Sequence, residues 1–337
     1  MIHLFYAEPD LDRWLPGDRW PRRIVRRLVR EPAQPGGMER YFLNLRAGLD
    51  LLGVPYRVND YRSLRRNPGA LAAVVGKHLV VDAISPDHPV VFGPAVPAHP
   101  LEQPELFARP TLRLTLVSCD WLAAMYRAAG VENVAVWAAG IDTAGWAPLP
   151  KSPPAGRRLR VLVYDKIRWE RAALERDLLA PVLAGLARQN CAVETIRYGR
   201  YREDDYRAAL GRSDAMVFLC EHETQGFAYL QALSAGVPLL AWDRGGPWRD
   251  PAFHPQRVQF GPVTSVPYWD GRCGVRFADA TAFPAALEQW REARAAGRLD
   301  PRAYVEDHLG LAACARRYLE LVTESGLFTE GNEGNTA

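Results

Sequence analysis

Short apolar runs alternate with amphipathic stretches along the whole chain. In the first half HLVVDAI, HPVVFG and LRLTLVS are brief and rich in β-branched residues, so they read as buried strands. Between them MERYFLNLRAGLDLLG and WLAAMYRAAG repeat apolar residues at helical spacing, and each closes on a glycine suited to a helix end. The opening MIHLFYAEPD reads as a first buried strand; it lacks the basic-then-apolar order of a secretory signal. The alternation resumes later. RLRVLVYD, AVETIRY and AMVFLC read as strands, with ERAALERDLLAPVLAGLARQ and DDYRAALGRS as helices between them. Strand–helix alternation in both halves predicts an α/β protein with two doubly wound parallel sheets. Such sheets bind ligands beyond the carboxyl ends of their strands, and two of them face to face would enclose a cleft.

Length and composition fit this picture. The 337 residues exceed one ordinary core, and 48% hydrophobic content suits a soluble globular protein. The Pro-rich, charged segment around residues 151–158 reads as a linker between an N-terminal domain, 1–150, and a C-terminal domain, 159–325. The last helix of the second domain can return to the first, and residues 326–337 read as a disordered tail. No apolar run reaches the length of a membrane span. Five scattered cysteines without a CxxC pair suit reduced thiols in the cytoplasm. A net charge of +3 makes no general case for nucleic acid, and no HxxxH or Asp-x-Asp cluster argues for a metal. Only Lys77, Lys151 and Lys166 are lysines among 42 basic residues, so a lysine at a strand end is informative.

The richest stretch is EHETQGFAYLQALSAGVPLLAWD, Glu221–Asp243. Polar Glu221–Gln225 forms the loop after the strand Ala215–Cys220. Gly226 opens a helix through about Ala235, Gly236 stops it, and Leu239–Trp242 is the next strand. Glu223 therefore stands at a carboxyl edge, ahead of a helix N-terminus whose free N–H groups suit phosphate. A carboxylate beside them accepts from sugar hydroxyls.

With these residues the segment resembles the signature of the retaining, nucleotide-sugar-dependent glycosyltransferases of the GT-B fold, the large mannosyl/glucosyltransferase family. In that family a Glu is followed, after seven residues, by a second Glu, a small-residue helix and Gly-x-Pro. Glu223 matches the first acid, Gly226 the inner glycine, and Gly236-Val237-Pro238 the end, while Gln231 replaces the second acid. Three further stretches extend the resemblance over most of the chain: QPGGMERYFLNLRAGL with Gly36 and Gly37, WAAGIDTAGWAP, and CGVRFADATAFPAALEQW.

The resemblance implies two Rossmann-like domains facing across a cleft, with the donor on the C-terminal one. It implies transfer of a hexose from a nucleoside diphosphate sugar to a hydroxyl of a glycan or lipid-linked glycan, as in polysaccharide biosynthesis, with retention and without a metal or other cofactor. Gly36 and Gly37 would let backbone approach the donor. Lys166 would neutralise the diphosphate with Arg168 or Arg171, the latter fitting the spacing better. Glu223 would hold the sugar and Gln231 the ribose, with His222, Thr224, Gln225 and Phe227 around them. The family's histidine near the reacting carbon has no match, because the corresponding positions read Gly93-Pro94-Ala95; His99 is the nearest candidate. Two alternatives stay open: a GT-B sugar phosphorylase or epimerase, and a nucleotide-sugar binding protein without turnover.

One segment stands apart. In RWLPGDRWPRRIVRRLVR the residues Arg22, Arg23, Arg26 and Arg27 share one face of a helix started by Pro21, with Trp14 and Trp20 ahead of it. Such a helix either packs on its own domain or meets an anionic acceptor or membrane surface, which would place the protein peripherally at a membrane.

Overall fold

The computed structural model describes residues 1–7, 36–150 and 158–324. The arginine-rich segment with Trp14, Trp20, Arg22, Arg23, Arg26 and Arg27, the linker residues 151–157 and the tail from 325 lie outside them. The chain forms two compact units that interleave in sequence. One takes Met1–Val117, Tyr126–Trp137 and the chain from Arg316; the other takes Ser118–Met125 and Ala138–Ala315. The sequence reading drew its boundary at the linker with the last helix able to return to the first domain; the units also exchange Ser118–Met125 and the stretch after Trp137.

The first unit holds six parallel strands: β1 (Ile2–Phe5), β2 (Tyr56–Val58), β3 (Ala72–Val74), β4 (Val90–Phe92), β5 (Leu112–Val117) and β6 (Val134–Val136), in the order β2-β1-β3-β4-β5-β6. HLVVDAI departs from expectation. Its centre, Leu79–Asp82, is a helical turn, and the third strand is the preceding Ala72-Ala73-Val74. Small alanines suffice there because all three residues are fully enclosed between neighbours. At Gly93, the first of the three positions that lack the histidine, the backbone leaves no room for a side chain. It adopts φ +125°, and a Cβ would overlap the Leu116 carbonyl oxygen, so no side chain fits at that position.

The second unit holds β7 (Arg160–Lys166), β8 (Ala192–Arg197), β9 (Ala215–Cys220), β10 (Leu239–Trp242) and β11 (Gly274–Phe277), all parallel, in the order β8-β7-β9-β10-β11. Alternate residues of one strand line opposite faces. Leu162, Tyr164, Met216 and Phe218 join one core cluster, and Val161, Val163, Val217 and Leu219 join the other. Both faces are covered, as a parallel sheet requires. The helix expected after β7 is interrupted: a π turn over Glu175–Leu179 separates Arg171–Leu174 from Ala180–Arg188, next to Pro181, which has no N–H to give. Strand order reverses between β7 and β9, and the carboxyl ends of those strands are where such a sheet offers a site. No helix among the described residues is long and apolar enough to cross a membrane.

Candidate functional site

In the β7–β9 register Lys166 lies opposite Cys220. Asp165 and Lys166, being successive, leave β7 on opposite faces. Asp165 is buried and accepts from Arg171 Nη1 at 2.6 Å. Lys166 Nζ forms an ion pair with Glu223 Oε1 and stands 4.4 Å from the centre of the Tyr198 ring. The Cys220 thiol donates to the same Glu223 oxygen at 3.5 Å. Burial opposes the charge on Lys166, but the adjacent Glu223 carboxylate outweighs it and raises the lysine pKa. Burial likewise opposes ionisation of Glu223, and the charges of Lys166 and Arg168 outweigh it, so the carboxyl pKa is lowered. The pair is fully ionised at neutral pH.

The loop carrying Glu223 is fixed from several sides. Its N–H donates to the Thr264 carbonyl at 3.1 Å, and its carbonyl accepts from Trp121 Nε1 at 2.9 Å. The Gln225 amide exchanges two hydrogen bonds of 3.1 Å with the backbone of Ala139, so this side chain is committed to holding the loop. Gly226 then turns the chain with φ +74°, and Phe227–Ser234 follows as a helix with no acidic residue in its first turn. Thr224 and Phe227 are half-buried at this turn, and Gln231 is buried within the helix.

Glu221 has a role that the sequence reading missed. One of its buried carboxylate oxygens accepts from the backbone N–H groups of Arg168 and Trp169, at 2.9 and 3.0 Å, and so pins the turn after β7. The Arg168 guanidinium lies 4.1 Å from the Trp169 ring centre and donates to the His222 carbonyl at 3.3 Å. His222 is buried between Trp169 and Trp121, at ring separations of 5.1 and 5.6 Å, with Nε2 against the backbone of Arg249. Burial pushes its pKa down to about 4, against the hydrogen bond between Nε2 and the Arg249 carbonyl and with help from the charge of Arg168. The imidazole is therefore a neutral structural prop.

A pH dependence follows from His222. Its folded pKa lies below the ordinary value of 6.5, so the unfolded chain takes up a proton first as the pH falls. Stability declines from about pH 6.5 down to about 4 and levels off below. The loss from this group is about 3 kcal/mol at full extent. Denaturant melts of wild type and His222→Gln across this range should show the slope reduced in the variant.

The other candidates belong to the first unit. Gly36 and Gly37 begin the helix Gly37–Leu51, both exposed, and a Cβ at either would touch nothing within 4 Å among the described residues. His99 is buried, and its Nδ1 accepts from the Leu101 N–H at 3.1 Å, capping a short 3₁₀ turn. Among the described residues no group of three or more His, Cys, Asp or Glu gathers into a cluster that would hold a metal ion.

Solved structures share this architecture. Sucrose-phosphate synthase from Thermosynechococcus elongatus is similar over 96% of this chain and 98% of its own, at 12% identity with a TM-score of 0.57. The apo form of the lipopolysaccharide outer core galactosyltransferase WaaB matches over 96% and 99%, at 10% identity and 0.52. An alpha-glucosyltransferase in complex with UDP and a 13-mer DNA matches over 96% and 99%, at 10% and 0.50. No protein-family model matches the chain, and no curated protein matches it in sequence. The chain has the α/β GT-B fold, with two doubly wound units.

Proposed function

We propose that the protein is a retaining glycosyltransferase that moves a hexose from a nucleoside diphosphate sugar to a hydroxyl of a glycan or lipid-linked glycan. The observation that carries the reading is the buried Lys166–Glu223 pair at the β7/β9 switch point, beside the left-handed turn at Gly226 that starts a helix. The helix start offers N–H groups and a positive dipole end to a phosphate. Glu223, ionised and held from both sides, has a second carboxylate oxygen for sugar hydroxyls. Positive charge near the departing diphosphate stabilises the charge that develops on it, which is the main catalytic service asked of the site. The likeness in fold to galactosyl- and glucosyltransferases supports this class of reaction. Retention and independence of metal rest on the sequence resemblance. The anionic or lipid-linked acceptor and a peripheral membrane position rest on the arginine-rich segment.

The test is incubation of the full chain with a panel of UDP- and GDP-sugars. Slow donor hydrolysis, quickened by a sugar acceptor, is the expected result. Donor binding without turnover would instead favour a binding protein, and phosphate-dependent release of sugar phosphate a phosphorylase. Within this reading Gln231 meets the ribose. Its amide accepts one hydroxyl and donates to the other, and it adds no negative charge beside the diphosphate. Gln231→Ala is expected to raise the donor KM about tenfold with a smaller change in kcat, the pattern of lost uniform binding. Kinetics of the variant indistinguishable from wild type across the panel would remove the ribose role.

A further inference from the structure

After β10 ends at Trp242 the chain makes a long excursion over residues 244–263 and then returns to the same strand end. Two backbone hydrogen bonds close the excursion on itself. Trp248 donates its N–H to the Phe260 carbonyl at 2.7 Å, and Val263 to the Gly246 carbonyl at 3.0 Å. The return is fastened by one side chain. Asp243, the first residue after β10, has a side chain only 7% exposed. Its Oδ2 accepts from Thr264 Oγ1 at 2.9 Å and from Arg276 Nη1 at 3.3 Å, and its Oδ1 accepts from the Ser265 N–H at 3.0 Å. Ser265 Oγ adds a bond to the Trp242 carbonyl at 2.7 Å.

The segment fastened in this way is the one that holds Glu223. The Thr264 carbonyl accepts from the Glu223 N–H at 3.1 Å, so a single residue links the Asp243 carboxylate to the Glu223 backbone. Strands β7 and β10 flank β9 in the sheet. Lys166, at the end of β7, meets the carboxylate of Glu223, while Asp243, just past the end of β10, governs its main chain. Irregular connections are more mobile than the strands they join, so the Thr264 carbonyl needs an anchor on the sheet to be a fixed acceptor. Hydrogen bonds to a carboxylate are about twice as strong as neutral ones, and three donors on an almost enclosed group leave it little freedom. The precision matters, because a misplacement of about 1 Å in a reacting site can lower its rate a hundredfold.

We propose that Asp243 is a positioning residue for Glu223, acting through the Thr264 carbonyl. This rests on the reading of Glu223 as the group that holds the donor sugar. Asp243 itself touches no substrate; it sets where the Glu223 carboxylate stands.

Two readouts on the full chain test it, with thermal melts to check folding. The first is hydrogen exchange at the Glu223 amide, which needs no activity. Asp243→Ala is expected to speed it about tenfold or more, because the amide loses its fixed acceptor. The second is turnover of the UDP- and GDP-sugar panel together with calorimetric binding of UDP and GDP. Asp243→Ala should lower kcat about tenfold or more and leave nucleotide affinity unchanged, since the displaced group serves the sugar. On the Glu223→Gln background the same change should cost less than about twofold further, as for residues that act through one another. Asp243→Asn keeps an acceptor for Ser265 and offers a donor to Thr264 Oγ1, so it should recover most of the loss. Thr264→Val removes one arm of the contact and should show a smaller loss in both readouts; it carries the test if Asp243→Ala does not fold. Glu223 exchange unchanged in a folded variant overturns the proposal, and so do losses that multiply on the Glu223→Gln background. Faster exchange at Glu223 in a protein whose wild type turns over no donor sustains the positioning contact and overturns the transferase reading alone.

Discussion

Glu223→Gln is expected to lower kcat/KM for sugar transfer by two to three orders of magnitude while keeping the protein folded. Gln keeps the shape of the side chain and one hydrogen-bond acceptor for Lys166, but it removes the charge. Losing a charged hydrogen bond at an enclosed site costs on the order of 2–4 kcal/mol in the transition state. Glu223→Ala is a different experiment. A loop acid free of partners could be removed without touching the fold. The ion pair with Lys166 changes that expectation, because truncation leaves a nearly enclosed ammonium without its partner. Breaking a buried pair in this way costs roughly 3 kcal/mol of stability. Lys166→Met on the Glu223→Ala background should return much of that stability and none of the activity. Denaturant melts and donor kinetics on the four proteins separate the two roles. Wild-type turnover by folded Glu223→Gln would sink the site assignment.

Gly226→Ala should be among the most destabilising single changes in the second unit, at about 2–5 kcal/mol. Two costs add. The left-handed conformation at φ +74° costs a residue with a Cβ about 1–2 kcal/mol. The new methyl would also overlap the Tyr229 ring. That ring has little room to yield: it is fully buried against Phe218, and its hydroxyl accepts from the Tyr268 N–H at 3.0 Å. Overpacking a tight core adds roughly 1–3 kcal/mol. Chemical denaturation gives the answer directly, and a loss below about 1 kcal/mol would mean that the turn can adopt another conformation.

Much of the second unit was legible because its strands are long, apolar and bounded by clear stops. Ala215–Cys220 and Leu239–Trp242 end where the pattern places them, and Gly236 closes the helix with φ +71°. Position relative to a strand end located Lys166 and Glu223, since only such residues reach the carboxyl edge of a parallel sheet. The first unit was harder. Val80 and Val81 look like strand residues but belong to a helical turn, while the strand itself is Ala72-Ala73-Val74. Local β-propensity there is overruled by burial on both sides of a parallel sheet. Partners across sequence were not legible at all. That Asp165 claims Arg171, that Gln225 binds Ala139, or that Glu221 holds the turn after β7 depends on side chains brought together by folding. Spacing made Arg171 the better match for a phosphate cation, but spacing carries no information about which carboxylate already neutralises it.

The interleaving of the two units bears on how the molecule comes into being. The sheet of the first unit is complete once β6 has been made, yet Trp137, at its end, packs edge-on to Tyr318 with ring centres 5.1 Å apart. That partner leaves the ribosome only after the whole second unit has been synthesised. Until the helix Leu311–Glu324 has been made, the first unit lacks this aromatic neighbour of its indole. Cutting at the linker would divide both units, so neither half is a natural piece for expression alone. Synthesis order and structural order run against each other here: the N-terminal sheet gains this neighbour from a helix made after the second unit.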